Sequence, residues 1–527
     1  MKNKSLTATS NTETIMISRA EYDALNGQIS ELSQQVQYLL EQMRLARKKQ
    51  YGSSSEQSKY DGGEQLSLFN EAEFFADESP EPELTEVEKH YRKKRSETKD
   101  CLPENLPVET VECFLPEDEQ SCPKCSGPLH IMGKEVVRRE LKIIPASVSV
   151  VEYVRYTYSC RSCEKNGIDV PVMKAPVKKP VIKGGFASPE AVAHIATQKF
   201  VMASPLYRQE KELNRSGIML SRQTMSNWLL KSAGDWLRPI YNRLHELLLQ
   251  RAVLHADETT LQVLHEDGKK AQAKSYMWLY RTSGDTDRPI VLYDYRPDRK
   301  ARNAEEFLDG FSGYLHADGY QGYHKLPGNI VVVGCWAHAR RKFDEALKAL
   351  PEGERDGSTA MAGKRYCDKL FAIEEKLKSL SPEERFDERR KQEEPVLDEF
   401  LLWLKAQKAA PKSGLGKAVY YCTEQWPYLA HYLLDGRLEL SNNRAERSIK
   451  PFVIGRKNFL FANTPRGADG SAVMYSIIET AKENGLDPYG YLAYIFREAP
   501  NMDLNNEDEF ARLLPWNTPE NIRTAAK

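Results

Sequence analysis

The tetrapeptide Leu-His-Ala-Asp occurs twice, at Leu254–Asp257 and Leu315–Asp318, each time after a short apolar run that reads as a strand. A third acid, Glu446, stands in Arg437–Lys450, RLELSNNRAERSIK, at what reads as the first turn of a helix. Each acid alone has an ordinary explanation. Asp is common in turns at strand ends, where it bonds its own backbone. Asn443 and Glu446 fit a capping box, and an acid there suits the helix dipole. Two like-phrased strand acids followed by a helical acid is a rarer pattern than any part of it. It predicts that Asp257, Asp318 and Glu446 meet as a carboxylate set for divalent metal ions, with Asn442 and Asn443 capping the helix that carries Glu446. His255 and His316 precede the aspartates by two and so share their strand faces.

The surrounding elements read as strands at 252–255, 276–280 and 289–295, a helix at 303–308, and strands at 314–316 and 330–333. About a hundred helical residues follow, then the Glu446 helix, then a helix over 468–484 with Gly485 at its C′ position. Three antiparallel strands, a helix, and further strands and helices make the order of an RNase H-like fold. In that fold the three acids occupy the first strand, the end of the fourth and a later helix. The block 337–435 is then a helical insertion.

Upstream, Cys122-Pro-Lys-Cys125 and Cys160-Arg-Ser-Cys163 flank a segment rich in Val, Ile and Tyr. Four thiolates in two such knuckles suit tetrahedral zinc in a closed structural site, and strands that join them describe a zinc ribbon. Lys174, Lys178, Lys179 and Lys183 among prolines and Gly184-Gly185 form a basic extended segment suited to a phosphate backbone, or to a solvated linker. In 206–232 a short helix, a Gly-containing turn and a helix capped by Ser221 have helix-turn-helix form. Met225, Trp228 and Leu229 face inward there, and Arg222, Gln223, Ser226 and Asn227 face DNA. Arg447, Lys450, Arg456 and Lys457 extend a basic track along the Glu446 helix. Near the N-terminus, Tyr22, Leu25, Ile29, Leu32, Val36, Leu39 and Met43 alternate steps of three and four, a coiled-coil seam that predicts self-association. Arg47, Lys48 and Lys49 close that helix, and an acidic linker follows.

Net charge is −1, so any DNA affinity rests on local basic patches. No apolar run reaches the roughly 18 residues of a membrane span, and the first residues lack a signal core. A cytoplasmic protein, nucleoid-associated on DNA, is expected. Nine cysteines, an odd count without an export signal, favour metal ligands and free thiols over disulfides. Cys335 and His338, at Cys-x-x-His spacing, read as structural.

The chain resembles DDE transposases of the insertion-sequence-66 family, in their large TnpC-type protein. The likeness rests on the heptad helix ending in YGSSSEQ, on SLFNEAE, the zinc ribbon, LHADET, HADGY, GCWAHARRKF, SNNRAERSIKPFVIGRKNFLF and the LLPW of Leu513–Trp516. It implies movement of an insertion sequence by Mg2+- or Mn2+-dependent strand transfer, with two ions per site. The partners it implies are the element's terminal inverted repeats, target DNA, further copies of the chain and small accessory transposition proteins. The whole reads as a multidomain α+β protein: a heptad-helix region (1–57), a linker (58–100), a zinc ribbon (101–180), a helix-turn-helix domain (181–248), an RNase H-like core in two parts (249–336, 436–486) around the insertion (337–435), and a helical tail (487–527). Rival readings are a nuclease on the same fold, a non-enzymatic ribbon and helix-turn-helix regulator, and a coiled-coil assembly protein.

Overall fold

A computed structural model describes residues 18–51, 108–144, 147–167, 169 and 171–523. The acidic linker, Cys101 and the side chains of Arg47, Lys48 and Lys49 lie outside what is described. The described chain forms two compact units. One joins the N-terminal helix to Trp336–Gly436, and the other holds Gly63–Cys335 with Arg437–Lys527. No described helix is long and apolar enough to cross a membrane.

The second unit begins with a sheet built on a long hairpin. Strands β1 (Val108–Cys113), β2 (His130–Ile144), β3 (Ser147–Ser159) and β4 (Val172–Lys174) form it. β2 runs antiparallel to β3, β1 runs parallel to β3, and β4 pairs with the end of β3. His130 pairs with Ser159, which brings the loop before β2 and the turn after β3 together. Those two segments carry the Cys-x-x-Cys knuckles. The hairpin is long, as the spacing between the knuckles requires.

After the hairpin come helices Pro189–Phe200, Leu206–Arg215 and Arg222–Ser232. Gly217, at φ +78°, makes the left-handed bend between the last two, a conformation glycine adopts without Cβ strain. Ser221 caps the Arg222–Ser232 helix by accepting the Thr224 N–H at 3.1 Å. Met225, Trp228 and Leu229 are buried, as their spacing predicts. The helix continues through a π-turn at Ala233–Leu237 into Arg238–Leu249. The widened turn lies where Pro239, lacking an N–H, cannot continue the α-helical ladder.

The core sheet has strands β5 (Val253–Gln262), β6 (Lys274–Thr282), β7 (Val291–Arg296), β8 (Gly313–His316) and β9 (Ile330–Val333) in the order β7-β6-β5-β8-β9. β5, β6 and β7 are antiparallel neighbours, whereas β8 runs parallel to both β5 and β9. The order of elements matches the sequence reading, but β5 is longer than expected. Asp257 is not at a strand end, because its pairing with Leu279 of β6 carries the strand on to Gln262. β7 is an edge strand, and helix Pro465–Glu483 covers that edge with hydroxyls. Ser476 Oγ accepts the Tyr293 N–H at 2.7 Å, and Thr480 Oγ1 accepts from Val291 N–H at 3.0 Å while donating to its carbonyl at 2.9 Å. Backbone groups open to strand pairing are thereby satisfied. The helix ends at Gly485, φ +70°, as the sequence predicts.

The first unit is helical throughout Trp336–Gly436, with helices Trp336–Ala349, Thr359–Leu377, Pro382–Gln392, Glu394–Ala406 and Gly414–Leu429. Trp336, Phe343 and Phe400 are fully buried at its centre. Arg389 is buried with them and holds Glu374 in a two-pronged pair at 2.7 and 2.8 Å. The N-terminal helix, Arg19–Tyr51, docks on this unit through Glu41, which accepts the Gly414 N–H at 3.0 Å.

Candidate active site

β5 and β8 bring the two Leu-His-Ala-Asp phrases into register. His255 pairs with His316, and their rings stack at 4.4 Å with 13° between planes. Gly313 makes the close approach possible, since a Cβ there would lie 2.4 Å from the Ala252 carbonyl oxygen. Two residues beyond the stacked pair, one strand carries Asp257 and the chain leaving the other carries Asp318.

The Glu446 helix, Asn443–Phe459, is tied to the same place by its N-cap residue, Asn442. Here the structure corrects the capping-box expectation. The Asn442 side chain makes no cap bond and Asn443 lies inside the first turn, so the side-chain pairing that defines the box is absent. Instead Asn442 Nδ2 donates to the Ala256 carbonyl at 2.7 Å, and its Oδ1 lies 2.9 Å from His255 Nδ1. That pairing sets the imidazole's Nδ1–H tautomer. The Asn442 N–H donates to the Cys335 thiol at 3.1 Å, and the Glu439 N–H donates to His316 Nε2 at 3.1 Å. Asn442 ties the helix start down by these long-range bonds. Burial holds the His255 pKa down to about 3, which keeps the ring neutral.

Arg281 of β6 anchors the helix from below. Its guanidinium, 2% exposed, reaches Ser448 Oγ and pairs with Glu483 at 2.8 Å. The result is strong electrostatic tension at Asp257. Burial, and then the negative charges of Glu258, Asp318 and Glu446, push its carboxyl well above the ordinary range. Mutual repulsion among carboxylates is the kind of penalty that a bound divalent cation relieves.

Glu258 was missed in the sequence reading, though the Asp257-Glu258 doublet is its signal. Neighbouring strand residues face opposite ways. Glu258 accordingly turns from Asp257 to a clamp in which Arg299 Nε donates at 2.8 Å and the Tyr323 hydroxyl at 2.6 Å. Burial and the charge of Asp318 bring its carboxyl up to about 7 against the pull of Arg299 and Tyr323. Arg299 also lies 4.1 Å above the Tyr320 ring. Of the basic residues expected to face DNA, Arg447 and Lys457 are exposed and Lys450 is half-buried. Arg456 is half-buried, and its guanidinium donates to Thr260 Oγ1 of β5 at 2.8 Å. Arg222, Gln223 and Asn227 are exposed and Ser226 is half-buried; Arg222 N–H donates to Glu210 at 3.0 Å and Gln223 donates to Asn227 at 3.2 Å.

The four knuckle cysteines cluster as predicted. Cys122 and Cys163 sulfurs are 3.6 Å apart, Cys125 and Cys160 3.4 Å, and Cys125 and Cys163 3.6 Å. A tetrahedron of thiolates around zinc at ~2.3 Å has edges of about 3.8 Å, so the cage fits that ion.

Family comparisons agree with this architecture. Residues 184–470 match the model described as "Transposase IS66 family". The chain belongs to the IS66 transposase family. Residues 119–164 match the "zinc-finger binding domain of transposase IS66", which takes in both knuckles. Residues 476–516 match the "IS66 C-terminal element", and 38–111 match "Transposase C of IS166 homeodomain". Similar proteins include y4jD of Sinorhizobium fredii (strain NBRC 101917 / NGR234), described as uncharacterized. It is 33% identical over 79% of this chain and 81% of its own length. The uncharacterized y4hP of the same organism is 31% identical over 76% of this chain and 74% of its own. No solved structure matches. As an IS66 transposase the chain has DNA as its partner, and its cluster of four cysteines is a structural zinc site.

Proposed function

We propose that this transposase cuts and joins DNA through Asp257, Asp318 and Glu446, acting as a DDE triad on an RNase H-like core. The observation that carries the reading is the convergence built on His255. Its stacking on His316 aligns the strands leading to the two aspartates, and its bond to Asn442 fixes the start of the Glu446 helix there. Three antiparallel strands followed by two parallel ones support the RNase H-like assignment. The three carboxylates would hold Mg2+ or Mn2+, and the ion would supply charge neutralisation at a scissile phosphate and a more reactive attacking oxygen. The protein's own groups do the rest. Asn442 and Arg281 hold the Glu446 helix in place, and the neutral His255 adds no competing positive charge behind the acids. Arg447, Lys450 and Lys457 line the helix that leads away from the site and suit phosphates. Arg222, Gln223, Ser226 and Asn227 are assigned to the element's terminal repeats.

The N-terminal helix supports self-association. Its seam residues Tyr22, Leu25, Ile29, Leu32, Val36, Leu39 and Met43 are 48–68% exposed, while Glu41, off the seam, docks on the helical unit. Ile29 and Val36 alternate with Leu25, Leu32 and Leu39. β-Branched residues at one seam position and Leu at the other favour a parallel two-stranded coiled coil.

The test is a cleavage and joining assay on labelled DNA carrying the gene's own flanking ends, with Mg2+ or Mn2+ and with Asp257→Ala, Asp318→Ala and Glu446→Gln alongside. Cutting and joining by wild type alone supports the triad. Cutting without joining turns the reading toward a nuclease on the same fold. Specific binding without a cut, in the presence of any accessory protein encoded beside the gene, turns it toward a DNA-binding regulator.

A further inference from the structure

Between the zinc-finger match, which ends at residue 164, and the transposase match, which begins at 184, lies a basic segment that neither covers. It has almost no regular secondary structure after Lys174, yet it is held at three points by three different elements. Arg138 of β2 donates to the Lys178 carbonyl. The Lys179 N–H donates to Asn501 Oδ1 at 2.7 Å. Trp236, in the π-turn, donates its indole N–H to the Val181 carbonyl at 2.9 Å. Val181 and Ile182 are buried, whereas Lys178, Lys179 and Lys183 are exposed.

The lysines differ from the basic residues of the neighbouring sheet. Lys174, Lys142 and Arg155 each pair with a glutamate at the sheet surface. No carboxylate among the described residues lies within ion-pair distance of Lys178, Lys179 or Lys183. Just beyond, Phe186 packs edge-on against Trp228 at 5.1 Å, and Trp228 lies on the inner face of the helix that carries Arg222, Gln223 and Asn227 outward. A pinned backbone, irregular at 178–180 and turning over 181–185, thus carries lysines with no carboxylate partner among the described residues into the seat of the helix-turn-helix.

We propose that residues 178–183 form a preordered arm that lies along the DNA phosphate backbone next to the helix-turn-helix, with Lys178, Lys179 and Lys183 as phosphate contacts. This rests on the DNA-end reading above. Because the backbone is already pinned, binding orders only the lysine side chains, and each lysine releases a condensed counterion on contact. Phosphate contacts position a protein on DNA without reading its sequence. The arm therefore adds affinity equally on any duplex.

The experiment uses the full, zinc-loaded chain without added Mg2+ or Mn2+. Its affinity is measured by fluorescence anisotropy across a salt series, on a duplex with the gene's flanking ends and on an unrelated duplex of equal length. The variants are Lys178→Ala/Lys179→Ala/Lys183→Ala and the charge-retaining triple Lys→Arg, each checked for thermal midpoint and zinc content. The alanine triple is expected to make the plot of log affinity against log salt shallower by about 2.7, at ~0.9 per phosphate contact, on both duplexes alike. The arginine triple is expected to keep the wild-type slope. An unchanged slope in the alanine triple, or a loss confined to the end sequence, overturns the arm. Wild type without preference for the flanking ends overturns the end-recognition reading while leaving the slope comparison decisive for the arm. Wild type that binds neither duplex overturns both.

Discussion

Asp257 shows how a residue proposed for catalysis can be unfavourable to the fold. Its carboxyl is raised by burial and by three neighbouring acids, so the folded state keeps its proton longer than the unfolded chain does. That contribution to stability is full below the unfolded value of ~3.9 and is lost as pH rises toward the folded one. Asp257→Asn removes the penalty. It is expected to raise the thermal midpoint of the metal-free protein at pH 7 and to leave it unchanged near pH 3.5. Added Mg2+ should stabilise wild type more than the variant; equal stabilisation would separate Asp257 from the metal. His255 has the opposite sign. Held down to about 3, it stays neutral in the folded state and takes a proton on unfolding, so its contribution is lost as pH falls from ~6.5 toward 3. Glu258 is the third case at this scale. Its acidity is absorbed by Arg299 and Tyr323, so Glu258→Gln should disturb the placement of Arg299 and leave a weakened cleavage activity, where Asp257→Ala leaves none.

Among elements, the Glu446 helix depends on one cation beneath it. Arg281 is buried, and its partners lie on two helices, Ser448 on one and Glu483 on the other. Arg281→Met removes the charged hydrogen bonds to Ser448 and Glu483 and, with Glu483 exposed, is expected to cost about 1.5 kcal/mol in urea unfolding. In the helical unit, Glu393 is fully buried with the Tyr432 hydroxyl beside its carboxyl. Burial, with Glu374 adding to it, raises its carboxyl to about 8. The unit should lose stability as pH rises from ~4.5 to about 8, and Glu393→Gln should flatten that dependence. A thermal-melt series across this window checks it.

For the whole molecule, the separation of ribbon and core into two sheets within one unit predicts separable responses. The ribbon depends on a four-thiolate cage, and the core sheet has its own buried interior. Chelation of zinc, or Cys160→Ser, should therefore melt the ribbon while the core keeps a cooperative transition, which hydrogen exchange can resolve. The exposed heptad seam predicts a dimer that Ile29→Lys/Val36→Lys converts to monomer, read by analytical ultracentrifugation. A monomeric wild type would remove the coiled coil from the account.

Much of this was legible in the chain itself. Strand order, the zinc knuckles, the Ser221 cap and the helical block at 337–435 follow from periodicity, spacing and turn chemistry, which act over a few residues. The three acids proposed for the site also stand out in the chain, because Leu-His-Ala-Asp repeats and Asn442–Glu446 stands at a helix start. What lay beyond reach was long-range. That β5 continues past Asp257 depends on its partner β6, and that Asn442 bonds His255 rather than capping its helix depends on a contact across 187 residues of chain. Arg281 beneath Glu446, Arg299 on Glu258 and Arg456 turned to Thr260 are the same kind of fact. A charged side chain's partner is set by which buried carboxylates and hydroxyls the packed elements bring within hydrogen-bond distance, and local sequence carries no record of that. The sequence determined the four zinc ligands and the Ser221 cap, because knuckle spacing and cap chemistry are local; the tertiary structure decided which groups hold each buried charge in place, because those contacts are not.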